Sequence, residues 1–265
     1  MKRKWLTGNR ITIFYGTLLI IIWECWLRLF EIPVYLLPKP SGIVVKFIQH
    51  FPLILEYTWI TGIESFGGFF VSIALGIPLS LFIAFSDFLR KTLYPSIVAL
   101  QLVPKIALAP LFVTWFGFGM MPKFIIVFLL CFFPILLNAI LGFTSLRQEL
   151  QNFALSTGAD PLTVFWKVRL PAALPQIFVG FKWAAVNATV GATIGEWIGG
   201  DAGLGYYIQI ASGDMKMDLA FAIIVMLAFL GLVLYFLVVV FEKILTPWHV
   251  SQRSSVHGGG MVGMQ

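Results

Sequence analysis

The stretch NFALSTGADPLTVFWKVRLPAALPQIFVG, residues 152–180, is a polar helix–turn–helix island in a chain that is otherwise close to continuous hydrocarbon. Residues 149–157 suit a helix, and Gly158 can take the left-handed conformation that stops one. Asp160 then stands where an N-cap belongs, with Pro161 at the first helical position. A second short helix follows, with Phe165 and Val168 three apart on one face. Leu170-Pro171 and Pro175 are expected to end it and turn the chain into the next apolar span. Two short helices thus meet at a sharp bend, each with an apolar side. A membrane protein has little use for such an element unless something docks on it.

That the chain is a membrane protein follows from its composition. Of 265 residues, 59% are hydrophobic and 11% charged, against roughly 25% charged in soluble domains. The apolar runs are long and do not alternate, which excludes a β-barrel and points to spanning helices. The length suits one transmembrane domain with short loops. The net charge of +6 reads as a topology signal rather than nucleic-acid binding. Cys25 and Cys131 lie within apolar runs and suggest neither a disulfide nor a metal site, and the histidines have no partner at ligand spacing.

Six spans are expected, at about 11–30, 61–85, 95–116, 124–144, 176–199 and 218–241. They define a single transmembrane domain over 11–241, between an N-terminal segment 1–10 and a polar, glycine-rich tail 242–265. The bend element lies within 147–175. Residues 31–58 hold Pro33, Pro38, Pro40 and Pro52, and are expected to carry a short amphipathic surface helix that Ser41 could cap. Residues 87–94, 117–123 and 201–217 are expected to be loops. Gly68, Ser72, Gly76, Ser80 and Ala84 place small residues on one ridge of the second span, where another helix can approach closely. With the N-terminus inside, the inner segments hold Lys2, Arg3, Lys4, Arg10, Arg90, Lys91, Arg147, Lys167, Arg169, Lys243 and Arg253. The outer ones hold Arg28, Lys39, Lys46, Lys123 and Lys216. This bias puts both termini and the bend element in the cytoplasm.

No phosphate-binding G-x-x-x-x-G-K-[ST] loop occurs, so any ATP hydrolysis belongs to another polypeptide. No nucleophile–base pair, paired-carboxylate site or zinc motif is evident. Lys105 lies about ten residues into the third span, roughly 15 Å deep at ~1.5 Å per residue. It is a functional candidate at that depth, unless Pro104 and Pro110 break the helix and let it reach water or backbone carbonyls. Glu24 could face Arg28 one turn later, and Lys182 could snorkel to the surface. The fifth span is the most polar. Asn187, Gly191, Gly195 and Gly199 recur every fourth residue, with Ala184, Ala188 and Ala192 on the adjacent ridge. Asn187, Thr189, Thr193 and Glu196 are candidates for a pathway or gate, with Glu196 near the outer end as an interface anchor, gate or dimer contact. An ion-coupled carrier would need more ionisable relays in its spans than are present.

The run Gly158-Ala159, Phe165, Val168, Leu170-Pro171, Pro175, Ile177 and Gly180 resembles the EAA loop of the permease subunits of ATP-binding cassette (ABC) importers. The Glu-Ala-Ala of that loop reads Asn152, Phe153, Ala154 here, so the acid is lost. The resemblance implies a type I importer permease fold, all α-helical, with a loop whose Asn152, Ala154, Gly158, Ala159, Asp160, Phe165, Val168, Leu170, Pro171, Pro175 and Gly180 engage cytoplasmic ABC ATPase subunits. Leu37-Pro38-Lys39-Pro40-Ser41 and the stretch from Glu196 to Gly205 fit the same family. The segments at 104–111 and 196–200 are similar to the branch serving nitrate, sulfonate and taurine, or aromatic vitamin precursors. That branch implies a bacterial inner-membrane homodimer in lipid, an extracytoplasmic solute-binding protein, and no cofactor on this chain, with ATP and Mg used by the ATPase.

Overall fold

A computed structural model describes residues 2–146 and 148–248, and the side chains among them except at positions 2–13, 148, 151, 152 and 155. The long elements are helices α1 (Lys2–Leu29), α3 (Phe51–Phe85), α6 (Met120–Thr144), α9 (Leu170–Gly199) and α11 (Met217–Leu245). Shorter ones are α2 (Pro40–Gln49), α4 (Asp87–Leu102), α5 (Ala109–Phe116), α7 (Gln148–Ser156), α8 (Pro161–Val164) and α10 (Leu204–Gly213).

Among the described residues, four helical stretches are long and apolar enough to cross a membrane: α3, α6, the run Pro161–Gly199, and α11. Helix α4 and the segment Lys105–Phe116 meet at a 77° bend and together make one further span or a re-entrant loop. Pro104 and Pro110 were expected to break the third span, and the break falls at Pro104. The first expected span lies in α1, whose side chains from Phe14 to Ile22 are largely exposed.

Small residues set the packing. Helix α6 lies at the centre, against α9 and α3. A Cβ added at Gly191 would sit 3.0 Å from the Val127 Cα, and one at Gly195 2.9 Å from the Lys123 Cα. The two backbones therefore approach as closely as chain volume allows, the small-residue mode of packing in hydrocarbon. The ridge from Gly68 to Ala84 is buried as expected, and the Ser72 hydroxyl donates to the Phe128 carbonyl across the interface at 3.1 Å. Val127, Cys131, Ile135, Ala184, Ala188 and Ala192 form the core between these helices.

Several expected boundaries move. The second span starts at Phe51, because Pro52 falls in the first turn of α3, where a missing N–H costs nothing. The expected loop 87–94 is the start of α4, whose Ser86 cap accepts from the Leu89 amide at 3.3 Å. Ser41 does not cap α2. Lys39 holds that position, while the Ser41 amide and hydroxyl donate to the Glu24 carboxylate at 3.0 and 2.8 Å. Glu24 also pairs with Arg28 at 2.7 Å, as its spacing suggested. The expected loop 117–123 shrinks to Gly117–Gly119, and the one at 201–217 holds helix α10. Helix α11 runs on to Leu245, so the expected tail begins as helix; its residues 249–265 lie outside the described residues.

Candidate functional site

The bend between α7 and α8 is built as its residue types demand. Gly158 has φ +82°, which closes α7 in the left-handed region. The Thr157 hydroxyl donates to the Ala154 carbonyl at 2.7 Å, satisfying an acceptor of the last turn. Asp160 caps α8, accepting from the Thr163 amide at 3.1 Å. The Thr163 hydroxyl, donating to the same carboxylate at 2.5 Å, and then the Thr163 amide hold the exposed Asp160 carboxyl below the usual carboxylate range.

Beyond the bend the structure corrects two expectations. Leu170, Pro171 and Pro175 do not end the second helix. Helix α8 passes through a π turn (Phe165–Arg169) into α9, with the Leu170 amide bonded to the Phe165 carbonyl. Pro171 then sits in the first turn of α9 and Pro175 inside it. Nor do Phe165 and Val168 form the outward apolar face. Phe165 packs between Phe85 and Phe143, with ring centroids 5.7 and 6.3 Å away, and Val168 is half-buried. Arg169 reinforces that inner side, with its Nε donating to the Phe143 carbonyl at 2.8 Å and its guanidinium 4.3 Å from the Phe85 ring. The outward apolar residues are Phe153, Leu162 and Trp166, at 70%, 65% and 59% exposed. One helical turn separates Leu162 from Trp166. Ala154 and Ala159 are half-buried beside the bend. Gly180 lies away from it, packed against Asn138 and Pro134 of α6. The side chain of Asn152 lies outside the described residues.

At the opposite end of the bundle, polar residues collect in the interior. The Glu196 carboxylate accepts from the Thr61 hydroxyl and from the Gly205 amide, both at 2.6 Å. The same Thr61 oxygen accepts from the Leu204 amide at 2.8 Å. Glu64 lies beside Glu196 and meets Lys123 Nζ at 3.0 Å, an ion contact without hydrogen-bond alignment. Lys123 also donates to the Ala202 carbonyl at 3.3 Å and lies 3.6 Å from Asp201. Lys123 was counted among the outer loop charges, but it is buried in the first turn of α6. Glu196 is buried rather than at a membrane-edge surface. Glu64, Lys123 and Thr61 were not singled out from the sequence, although a glutamate in the middle of an apolar span was a signal for the first.

The other candidates do not join this cluster. Lys105 donates to the Gln101 carbonyl at 2.9 Å and stands 4.7 Å over the Phe133 ring, so the broken helix supplies its partner. Thr193 donates to the Thr189 carbonyl at 2.8 Å and Thr189 to that of Val186 at 3.2 Å. Both are buried, Thr189 close to Gly231 of α11, and serve packing within this chain. Asn187 is half-buried. Lys182 pairs with Glu242 of α11 at 2.6 Å instead of reaching outward. Among the described residues no cluster of His, Cys, Asp and Glu is placed to hold a metal ion.

A span bundle with a helix–turn–helix between two of its long helices matches a known family. The profile described as "Binding-protein-dependent transport system inner membrane component" covers residues 76–248. The chain belongs to this family. It is thus a multi-pass permease component of an ABC importer. It is 34% identical to the formylaminopyrimidine transport permease protein ThiX of Halalkalibacterium halodurans, over 95% of this chain and 100% of that one. It is 33% identical to the riboflavin transport system permease protein RibX of Chloroflexus aurantiacus, over 88% of each. Identity to the taurine transport system permease protein TauC of Escherichia coli is 28%, over 94% of each. The permease fold is also that of the inward-facing MetNI methionine ABC transporter, with a TM-score of 0.59 at 18% identity, covering 75% of this chain and 98% of the matched one.

Proposed function

We propose that two copies of this permease form the translocation pathway for a small solute delivered by an extracytoplasmic binding protein. Cytoplasmic ATPase subunits use ATP and Mg and engage the bend around Gly158. The observation that carries this reading is the exposed apolar group at the bend: Phe153 on α7, Leu162 on α8 and Trp166 on the π turn, at the start of the run Pro161–Gly199. Exposed aromatic anchors on a rigid, capped bend are what a protein groove can bury. Asn152, Ala154, Ala159, Asp160, Val168, Leu170 and Pro171 shape that element, with Phe165, Pro175 and Gly180 tying it to the spans. The basic residues of the inner segments put it, and both termini, in the cytoplasm of a bacterial inner membrane. The names of relatives that carry formylaminopyrimidine, riboflavin and taurine support a solute of the nitrate, sulfonate and taurine type or of the aromatic vitamin-precursor type, with the choice resting on the binding protein. Asn187 and Lys105, which are half-buried, would adjoin the pathway between the two copies, whereas Thr189 and Thr193 are buried against their own chain.

The test is co-expression with the ATPase and binding protein encoded nearest to this gene. The permease is expected to retain the ATPase on purification and to hydrolyse no ATP alone. Cysteines at Ser212 and Thr163 should label from outside and inside respectively. Outside labelling at Thr163, or no retained ATPase, would refute the proposal.

A further inference from the structure

Helix α10 makes apolar contacts with α11 and α3 through Leu204, Tyr207, Ile208 and Ala211. Its attachment at the N-terminal end is of another kind. The segment 200–205 is gripped between two buried charges from different helices. On one side Glu196 of α9 accepts from the Gly205 amide, and through Thr61 it also fixes the Leu204 amide. On the other side Lys123 of α6 donates to the Ala202 carbonyl and faces Asp201. Gly203 and Gly205 leave no room for a Cβ against the Glu196 carboxylate, so the fit is close. Lys123 is in turn set by Glu64 of α3. Four elements, α3, α6, α9 and the segment leading into α10, therefore meet at one polar knot whose Glu64, Lys123 and Glu196 are buried within the protein and whose Asp201 lies at its exposed edge. In such surroundings an unmet backbone amide has no water to turn to, so the knot decides where the segment lies.

We infer that Glu196 and Lys123 are positioning residues that lock segment 200–205, and with it α10, onto the bundle, and so set the shape of the mouth at which solute enters. The identification of this end as the mouth rests on the proposed orientation; the lock itself does not. Releasing the carboxylate frees the Gly205 amide outright and loosens the Leu204 amide, because Thr61, which that amide meets, is left with only the Tyr57 carbonyl at 3.1 Å as its acceptor. Helix α10 then swings on its apolar contacts, and solute transfer at the mouth suffers while the bend element at the far end is untouched.

The experiment uses the full chain in its membrane with a reporter cysteine at Ala211, a buried residue of α10 packed against the bundle, in a Cys25→Ser background. Labelling by a maleimide is compared in the parent, Glu196→Ala and Glu196→Gln. Alkylation in Glu196→Ala is expected to be at least about tenfold faster, the shift that loss of one charge-assisted hydrogen bond brings. Glu196→Gln keeps an acceptor for Gly205 and gains an amide that can donate to Glu64, so it should restore protection. Without the reporter, Glu196→Ala should raise the apparent KM for uptake with ATPase retention unchanged. Equal labelling in parent and Glu196→Ala, or failure of Glu196→Gln to protect, would overturn the lock. An unchanged KM beside faster labelling would overturn its role at the mouth. Loss of ATPase retention by the parent itself would instead count against the proposed function.

Discussion

Lys123 on α6 and Glu64 on α3 meet at 3.0 Å with side chains 2% and 0% exposed, making a buried ion pair inside the bundle. Taking either charge out of water is expensive, and leaving one without the other is worse than removing both. Lys123→Met alone should destabilise the protein by about 3–5 kcal/mol, as breaking buried pairs does. Adding Glu64→Gln should recover most of that loss. Thermal unfolding in detergent of the two single variants and the double variant checks this, and equal losses adding in the double would refute it.

Gly158→Val tests the bend. An L-residue in the left-handed region costs roughly 1–2 kcal/mol, and a β-branched one more. No heavy atom lies within 4 Å of a Cβ built at Gly158, so the effect is conformational rather than a clash. The variant should reach the membrane at normal abundance and lose ATPase retention or coupled uptake. Normal uptake and retention would remove the loop from the transmission path.

Trp166 and Phe165 are neighbours in sequence with opposite expected outcomes. Trp166→Ala removes an exposed ring and should leave thermal stability within about 0.5 kcal/mol. It should nevertheless weaken ATPase retention by at least about 2 kcal/mol if Trp166 is an interface anchor. Phe165→Ala should instead lower stability, because its ring fills space between Phe85 and Phe143. Melting temperature and ATPase binding measured on both variants separate the two roles.

The cap at Asp160 carries a pH dependence. Its folded-state pKa lies below the ordinary aspartate value of about 3.8 because the ionised form accepts from the Thr163 hydroxyl and amide. The cap is therefore fully present above that value and is lost as pH falls through the lower, folded one. Hydrogen exchange at the Thr163 amide, corrected for intrinsic rate, should lose protection only in that acid range. Asp160→Asn should cap without the pH dependence, since its side-chain oxygen still accepts.

The chain by itself determined the material and the punctuation. Long apolar runs with few charges leave helices as the only way to satisfy the backbone in hydrocarbon. Gly158, Asp160 and Pro161 dictate a stop and a start within three residues, because each acts on its own backbone or its near neighbours. The small-residue ridges at 68–84 and 184–199 were legible for the same reason, since a helix repeats every fourth residue whatever it packs against. Tertiary structure decided which side of the second short helix faces outward. The sequence pointed to Phe165 and Val168, and the bundle took Phe165 for its own core between Phe85 and Phe143. It also decided what the charges do. Glu64, Lys123 and Glu196 lie on three different helices, separated by many residues, and only the approach of α3, α6 and α9 brings them within reach of one another. Local pattern governs single elements; contacts between distant parts of the chain depend on a packing that no short window of sequence contains.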